Sequence, residues 1–450
     1  MRKLTLFFSI FFTLLNTFST TVFAVTSLPT ITAPSAILID GDTGDVLYEK
    51  SADTQMYPAS TTKIMTALLT LENTSLQDTV VIDKDTPFTG GSRIYLIEGE
   101  ELKIEQLLYA LLVDSANDAA VALAKHISGS VEKFAELMNK RAKELGAKNT
   151  NFSNPNGLPN DKHVTTAYDL AMIARYAMTL PKFREIVATA NYQIPPTNKQ
   201  METRYLGNSN RFLWGVGGKN KILYREKWID IKYDIIEGVK TGYTDIARQC
   251  LVTSAKKDGH RLISVVLKAE GKNIYIDSRT LIDYGFENFQ FVKITDARKK
   301  VKTIPIKNGV EKQLDLITQN KLYKTIPKDK NLGPIDLVTE IQNEIAAPIQ
   351  KDQILGKVIY KSKGKNLGEV NLIATKSVPE KKGITATFFL NAPTGKSIFY
   401  YLLWALFIFI IWRTIVTLNR LKIQKKIRRQ KRLRKYYSNH LPSKKDSRQK

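Results

Sequence analysis

The sequence predicts an α+β domain, then a small all-β domain and a single C-terminal transmembrane helix. Between residues 36 and 291 an apolar hairpin pattern comes first, helical patterns follow, and strand patterns come last, as in α+β domains. From about residue 292 only short alternating runs with turn residues remain, which indicates a β domain. Residues 398–412 are apolar on every side and the span is continued to Leu418, and the chain's 450 residues leave room for all three parts.

The N-terminus predicts export of the protein. "MRKLTLFFSIFFTLL" has a short positive start and an apolar run, and the compact residues Val22 and Ala24 fit a signal-peptidase site. A membrane anchor is the alternative, but the apolar run is short for a span of about 20 residues. We therefore expect a signal peptide at 1–24.

The first folded domain is expected at 25–291. "AILIDGDTGDVLYEK" predicts a β-hairpin, a helix is expected at Ser60, and "KIEQLLYALLVDSANDAAVALAKHI" predicts one amphipathic helical segment. Further helices are predicted at "EKFAELMNKRAKEL" and "TAYDLAMIARYAM". The runs "DIIEGVKTGYT", "QCLVTSAKKD" and "RLISVVLKA" predict strands, and "DSRTLIDYGFENF" predicts a closing helix.

The remaining chain is divided into a β domain (292–378), a linker (379–397), a transmembrane helix (398–418) and a basic tail (419–450). An interfacial amphipathic helix is the alternative to the span, but it would need a polar face that this segment lacks. From Arg413 to Lys450 there are 15 Lys and Arg residues against one acid. The positive-inside rule places this tail in the cytoplasm, where it suits lipid contact better than nucleic-acid binding.

Cysteine and histidine usage gives no indication of a metal site. Cys250 is the sole cysteine, so an internal disulfide and a four-cysteine metal site are excluded. The four histidines are His126, His163, His260 and His440, and they show no metal-ligand spacing. We expect neither a metal nor another cofactor.

Three short motifs carry the chemistry. Ser60 and Lys63 share one helix face, so a neutral lysine amine could act as base to a serine nucleophile. That spacing alone is weak, because it occurs at four other places, among them Ser130 and Lys133. "SAN" at Ser115–Asn117 and "KTG" at Lys240–Gly242 each occur once and follow in order. In an exported chain this set is typical of penicillin-recognising serine enzymes.

The chain resembles the D-alanyl-D-alanine carboxypeptidases among the low-molecular-mass penicillin-binding proteins, serine peptidase family S11. The resemblance is continuous over roughly 33–289, including "YPASTTKIMTALLTLE", "GGSRIYLIEGEELKIEQLLYALLVDSANDAAVALA", "NPNGLPNDKHVTTAYDLAMIARY" and "GVKTGYT". "APIQKDQILGKVIYKSKGKNLGEVNLIA" resembles the family's C-terminal β domain. The resemblance implies a penicillin-recognising, β-lactamase-like catalytic fold and a membrane-anchored enzyme of cell wall biogenesis.

The residue types and the resemblance together imply the catalytic roles. Ser60 would attack the carbonyl of the penultimate D-alanine and release the terminal D-alanine from a peptidoglycan stem peptide. Lys63 would take the hydroxyl proton, which requires a lowered pKa. Ser115 would relay a proton to the leaving amine, and Asn117 would hold the substrate amide or fix Lys63.

The third motif, Lys240–Gly242, implies the binding roles. Lys240 and Thr241 would offer a cation and a hydroxyl to the terminal carboxylate, and Lys240 is also a candidate for lowering the Lys63 pKa. Gly242 would let the substrate lie along the strand edge, and the backbone N–H groups of Ser60 and Tyr243 would form the oxyanion hole. The expected partners are stem peptides ending in D-Ala-D-Ala, β-lactams as covalent inhibitors and the membrane, with no nucleic acid.

Two residues depart from the family pattern, and two other functions remain open. Arg248 stands where glycine is more frequent, and Ile274 stands where many members carry an arginine near the substrate carboxylate. A class A β-lactamase would need a deacylating glutamate, but no convincing Glu-x-x-x-Asn segment lies between Asn117 and Lys240. The other alternative is a slow binding or scaffolding protein of the cell surface, for which a Gram-positive envelope is the expected setting.

Overall fold

The structure is a computed structural model that describes residues 28–381 and 395–439. It divides into a large unit, which holds the described residues up to Ser377 apart from two short segments, and a small unit with the C-terminal helix. The predicted signal peptide at 1–24 lies outside the described residues, as do most of the predicted linker and the last eleven residues of the tail.

The described residues form the following elements. The helices are α1 (Lys63–Asn73), α2 (Ile104–Leu112), α3 (Asn117–Ser128), α4 (Val131–Glu144), α5 (Ala167–Ala177), α6 (Pro181–Ala188), α7 (Asn273–Asn288) and α8 (Gly395–Asn439). The strands are β1 (Ser35–Asp40), β2 (Val46–Lys50), β3 (Thr79–Val81), β4 (Glu101–Lys103), β5 (Asn191–Ile194), β6 (Arg204–Gly207), β7 (Lys221–Tyr224), β8 (Lys227–Asp230), β9 (Ile236–Thr244), β10 (Arg248–Lys257), β11 (His260–Ala269), β12 (Phe289–Thr295), β13 (Lys300–Pro305), β14 (Gln313–Thr318), β15 (Leu322–Pro327), β16 (Ile335–Ile341), β17 (Ile354–Ser362) and β18 (Lys365–Ala374). Short 3₁₀ helices lie at Ala59–Thr62, Thr86–Phe88 and Gly218–Asn220.

The catalytic part is a three-layer arrangement around one antiparallel sheet. The strand order is β2-β1-β11-β10-β9, so β9 lies at the edge of the sheet. Side chains alternate across a strand, and in β1 Ile37 and Ile39 pack with the helices around α1 while Ala36 and Leu38 pack on the α7 side. Both faces of the sheet are therefore covered, which explains why all six residues of β1 are buried and why only the two at its ends are polar.

A β-rich part follows, as predicted. Strands β13-β14-β18-β17-β16 form a five-stranded antiparallel sheet, and β12 pairs with β15. The predicted boundary at residues 291 and 292 lies within β12. Strand β15 contacts the catalytic sheet through two side chains. The Lys324 ammonium donates to the Asp45 carboxylate at 2.5 Å, and the Thr325 hydroxyl donates to the buried Asp40 carboxylate. The same Asp40 carboxylate is hydrogen-bonded to His260. Together with the C-terminal apolar helix, the two parts confirm the predicted fold class.

The prediction of one continuous helix across "KIEQLLYALLVDSANDAAVALAKHI" was wrong. Helix α2 ends at Leu112 and α3 begins at Asn117. Between them Ser115 has φ +65°, a left-handed conformation that a right-handed helix cannot contain. The local sequence has helical periodicity on both sides of the break, so only the backbone conformation at the motif reveals it.

Helix α8 continues well beyond the predicted span. It runs for 45 residues from Gly395 to Asn439, so the helix contains the apolar segment and much of the basic tail. The stretch from Phe399 to Tyr436 is long and apolar enough to contain a membrane-crossing segment, and the described side chains of α8 are exposed almost throughout. This helix is thus a candidate membrane anchor.

Candidate active site

The Ser60 hydroxyl lies on a tight turn that leads directly into α1. Ala59–Thr62 forms a 3₁₀ helix and Lys63 is the first residue of α1. The Thr61 hydroxyl donates to the Pro58 carbonyl at 2.6 Å and so holds the turn. The three-residue spacing places the Lys63 amine 2.9 Å from the Ser60 hydroxyl oxygen, as a nucleophile and its base require.

Three oxygen atoms surround the Lys63 amine. Besides the Ser60 hydroxyl, the amine contacts the Asn117 side-chain oxygen at 2.6 Å and the Asn156 backbone carbonyl at 2.8 Å. The lysine is fully buried, and burial lowers its pKa well below the ordinary value, assisted by the positive charge of Lys240. A neutral amine has two hydrogens, and the amide oxygen and the carbonyl can accept both. Its lone pair is then left for the Ser60 hydroxyl.

The second motif is located where the chain breaks between α2 and α3. Ser115 is nearly buried in its left-handed conformation, and Asn117 begins α3. The Asn117 backbone N–H donates to the Ser92 carbonyl at 2.7 Å, and its side-chain amide donates to the Gly90 carbonyl at 2.7 Å. Asn117 therefore joins the Lys63 amine to the 90–92 loop.

The third motif lies on the edge strand β9, directly against the Ser60 turn. A Cβ atom added to Gly242 would lie 3.0 Å from both the Ser60 nitrogen and the Pro58 carbonyl oxygen, so a larger residue would push the strand away. The Thr241 hydroxyl lies 2.6 Å from the Ser209 hydroxyl. Since β9 is an edge strand, it has backbone groups that an added strand could pair with.

The Lys240 ammonium is almost completely enclosed. Its side chain is 1% exposed, and it donates to the Thr241 carbonyl at 3.2 Å. Burial lowers its pKa to about 7, and the nearby Asp114 carboxylate acts in the opposite direction. The charge of Lys240 is thus held behind the strand rather than on the surface of the site.

A cavity of about 530 Å³ brings the motifs together. Five of the residues predicted for the site line it: Ser60, Ser115, Thr241, Gly242 and Tyr243. The other three, Lys63, Asn117 and Lys240, are buried beside it and connect to this wall through the contacts given above. All eight residues predicted for the site thus lie together, at the cavity or directly beside it.

Several residues of the site were not predicted. Asn156 supplies a carbonyl to Lys63 from the "NPNGLPN" loop, and Ser209 and Arg211 line the cavity. His163 accepts from the Ser153 N–H at Nδ1 and therefore donates from Nε2 to the Thr62 hydroxyl at 2.8 Å. Burial lowers the His163 pKa to about 4, so this histidine is a neutral support behind the Ser60 turn.

The sequence around these residues contains only partial indications of their roles. Clustered Asn, Pro and Gly in "NPNGLPN" indicate an ordered turn, but they do not indicate that its carbonyl meets Lys63. No group of His, Cys, Asp and Glu that could hold a metal ion occurs within 28–381 or 395–439.

A buried lysine bonded to a serine, beside an edge strand with Lys-Thr-Gly, defines the class of serine enzymes that recognise penicillin. Comparisons with known proteins specify the family. The family described as D-alanyl-D-alanine carboxypeptidase matches residues 22–271, and the penicillin-binding protein 5 C-terminal domain matches residues 289–380. The chain belongs to the D-alanyl-D-alanine carboxypeptidase family and is therefore a serine-type carboxypeptidase of that kind.

Individual relatives agree with this assignment. The chain is 35% identical to D-alanyl-D-alanine carboxypeptidase DacF of Bacillus subtilis, over 78% of this chain and 87% of the relative. It is 30% identical to DacA of Escherichia coli K12, over 79% and 86%. Its fold is similar to the crystal structure of penicillin binding protein 5 from Haemophilus influenzae, with a TM-score of 0.63, 31% identity and coverage of 79% and 99%.

Proposed function

We propose that Ser60 is the nucleophile and Lys63 the general base of this carboxypeptidase. One observation carries the proposal: the Lys63 amine lies 2.9 Å from the Ser60 hydroxyl oxygen and its other two contacts are hydrogen-bond acceptors. A neutral amine held in this way accepts the serine proton while the oxygen attacks the carbonyl of the penultimate D-alanine. The acyl-enzyme forms as the terminal D-alanine leaves, and water then hydrolyses it.

The remaining residues of the site bind the substrate and the charge that develops on it. Ser115, at the cavity wall, passes the proton to the leaving amine. The backbone N–H groups of Ser60 and Tyr243 stabilise the oxyanion, a role supported by the close contact between Gly242 and the Ser60 turn. The stem peptide pairs with the exposed edge of β9, where the Thr241 hydroxyl binds its terminal carboxylate and the enclosed Lys240 adds positive charge from behind the strand. Asn117 fixes the Lys63 amine and borders the substrate.

The proposed substrates are peptidoglycan stem peptides ending in D-Ala-D-Ala, and β-lactams acylate the same serine. Helix α8 would anchor the protein, with the catalytic part on the extracytoplasmic side and the basic end of the helix in the cytoplasm. The support for this orientation is the order of the chain: a predicted signal peptide, the catalytic part, the apolar segment and then the basic residues. The enzyme would trim stem peptides during cell wall remodelling.

The test is to incubate the protein with benzylpenicillin and locate the adduct by peptide mass mapping. We expect a single adduct on Ser60, and release of D-alanine from a pentapeptide ending in D-Ala-D-Ala. Ser60→Ala should lose both activities and keep its fold. Ser130→Ala is a matched control, because Ser130 has the same spacing to a lysine but lies at the N-terminus of α4, where its hydroxyl accepts from the Lys133 N–H. Labelling that persists in Ser60→Ala, or an adduct on another residue, would contradict the proposal.

A further inference from the structure

The cavity wall contains an arginine to which neither the motifs nor the proposed mechanism gives a role. Arg211 lines the cavity with Ser60, Thr241 and Ser209, and Ile274 forms an apolar part of the same wall. Within the described part of the chain, the Arg211 guanidinium has no hydrogen-bond or ion-pair partner. An arginine keeps its charge at any physiological pH, so Arg211 brings a permanent cation to the cavity wall.

The backbone that holds Arg211 is well fixed. The Asn208 side-chain oxygen accepts from the Asn210 N–H at 2.9 Å, and the Asn210 side-chain oxygen accepts from the Phe212 N–H at 3.1 Å. The Arg211 N–H donates to the Tyr275 hydroxyl at 3.3 Å, and Tyr275 packs edge-on against Phe212 with ring centres 5.0 Å apart. A turn fixed by these contacts can present a ligand-binding side chain in a reproducible position.

Two hydroxyl groups accompany the guanidinium. Ser209 precedes Arg211 by two residues on the same turn, and its hydroxyl lies 2.6 Å from that of Thr241 on β9. Only one of the two hydroxyls donates to the other, so at least one hydrogen remains for an acceptor in the cavity. A guanidinium beside such donors is suited to bind a carboxylate.

The other cations near the cavity are less available to a carboxylate. Lys240 is enclosed behind β9, its pKa is lowered to about 7 by burial, and Asp114 partly offsets its charge. Lys272 lines the cavity, but its ammonium donates to the Lys221 carbonyl at 3.0 Å. Arg248 is half-exposed and pairs with Glu270 at 3.5 Å, and it does not line the cavity. Among the described residues that line this wall, Arg211 is therefore the permanent charge without a hydrogen-bond or ion-pair partner.

We propose that Arg211, together with the Ser209 and Thr241 hydroxyls, binds the carboxylate of the terminal D-alanine. The proposal rests on the function proposed above, because it requires a substrate with a free chain end at this site. Arg211 is then a residue that determines specificity for that chain end. It binds the carboxylate of the terminal D-alanine while Ser60 attacks the carbonyl of the preceding D-alanine of the substrate.

The test uses the full-length protein in detergent and a pair of acylating agents that differ in one charge. Benzylpenicillin carries a carboxylate in place of that of the terminal D-alanine, and its methyl ester lacks the charge. The second-order rate constant for acylation of Ser60 is measured by intact mass for wild type, Arg211→Gln, Arg211→Lys and Arg248→Gln. Arg248→Gln is the matched control, since it removes the same charge outside the cavity.

We expect Arg211→Gln to slow acylation by benzylpenicillin about 10- to 100-fold. This factor corresponds to the usual free-energy contribution of a hydrogen bond to a charged group. The methyl ester should change less than about threefold, because it offers no anion to bind. Arg211→Lys should keep part of the preference for the free acid, since it retains the charge without the paired geometry. Arg248→Gln should keep the wild-type preference.

Each contrary result has a separate meaning. Equal effects of Arg211→Gln on both agents, or no effect, would overturn the role of Arg211 while acylation of the wild type upholds the proposed function. Loss of the preference in Arg248→Gln rather than in the Arg211 variants would assign the carboxylate to Arg248. A wild-type protein that neither agent acylates would overturn the proposed function, and this inference with it. If Arg211→Gln fails to fold, the same comparison is made with Arg211→Lys.

Discussion

Gly157 provides the sharpest test of how the site is assembled. It follows Asn156, whose carbonyl contacts the Lys63 amine, and it has φ +87°. A Cβ atom added to Gly157 would lie 1.8 Å from the Ala59 carbonyl oxygen, 2.3 Å from its carbon and 3.0 Å from the Ser60 nitrogen. Gly157→Ala therefore cannot be accommodated without movement of the Ser60 turn or of the loop that holds Lys63.

The size of the effect follows from these distances. Ordinary contact begins at 3.4 Å, so one of the two segments must move by more than an ångström. Misplacement of a reacting group by about 1 Å can cost about 100-fold in rate. The left-handed backbone adds about 1–2 kcal/mol of strain for any residue other than glycine. We therefore expect Gly157→Ala to acylate at least about 100-fold more slowly than wild type.

The assay is the acylation rate of Ser60 with a fluorescent penicillin, measured alongside urea unfolding. Gly146→Ala is a closely matched control: Gly146 has φ +86°, and nothing lies within 4 Å of the Cβ that would be added. The control should lose about 1–2 kcal/mol of unfolding free energy and keep its acylation rate. If folded Gly157→Ala acylates within about threefold of Gly146→Ala, the reasoning that the 154–160 loop positions the nucleophile is refuted.

Three further predictions concern charge, pH and topology. Lys240→Gln should move the acid limb of the pH profile of kcat/KM to higher pH, because it removes the charge that helps to lower the Lys63 pKa; an unmoved limb would contradict this coupling. The His163 pKa is about 4 in the folded protein and 6.5 ordinarily, so as the pH falls the imidazole is protonated in the unfolded chain before it is protonated in the folded protein. The unfolding free energy should therefore fall by about 3 kcal/mol between pH 7 and pH 4 on account of His163, and urea unfolding of His163→Gln should show a correspondingly smaller loss. Truncation after Lys396 should give a soluble protein that still binds penicillin, as fractionation and labelling would show, whereas full partition into membranes would mean that the anchor lies elsewhere.

The pairing of Ser60 with Lys63 was predictable because it is local. Three residues of helical backbone bring the two side chains together whatever the rest of the chain does. The apolar run and turn of the β1–β2 hairpin and the long apolar segment in α8 are likewise local patterns, and they predicted a β-hairpin and the candidate span. The uniqueness and order of the other two motifs then predicted which residues share the site.

What makes Lys63 a base was decided by tertiary structure alone. Its two other oxygen partners come from Asn117 and Asn156, which are 54 and 93 residues away, and its burial depends on the packing of several helices. The break of the helix at Ser115 and the position of Arg211 beside Thr241 also depend on such long-range contacts. A local pattern can place two side chains on one turn, but a pKa and a charge facing a cavity depend on what the folded chain brings from a distance.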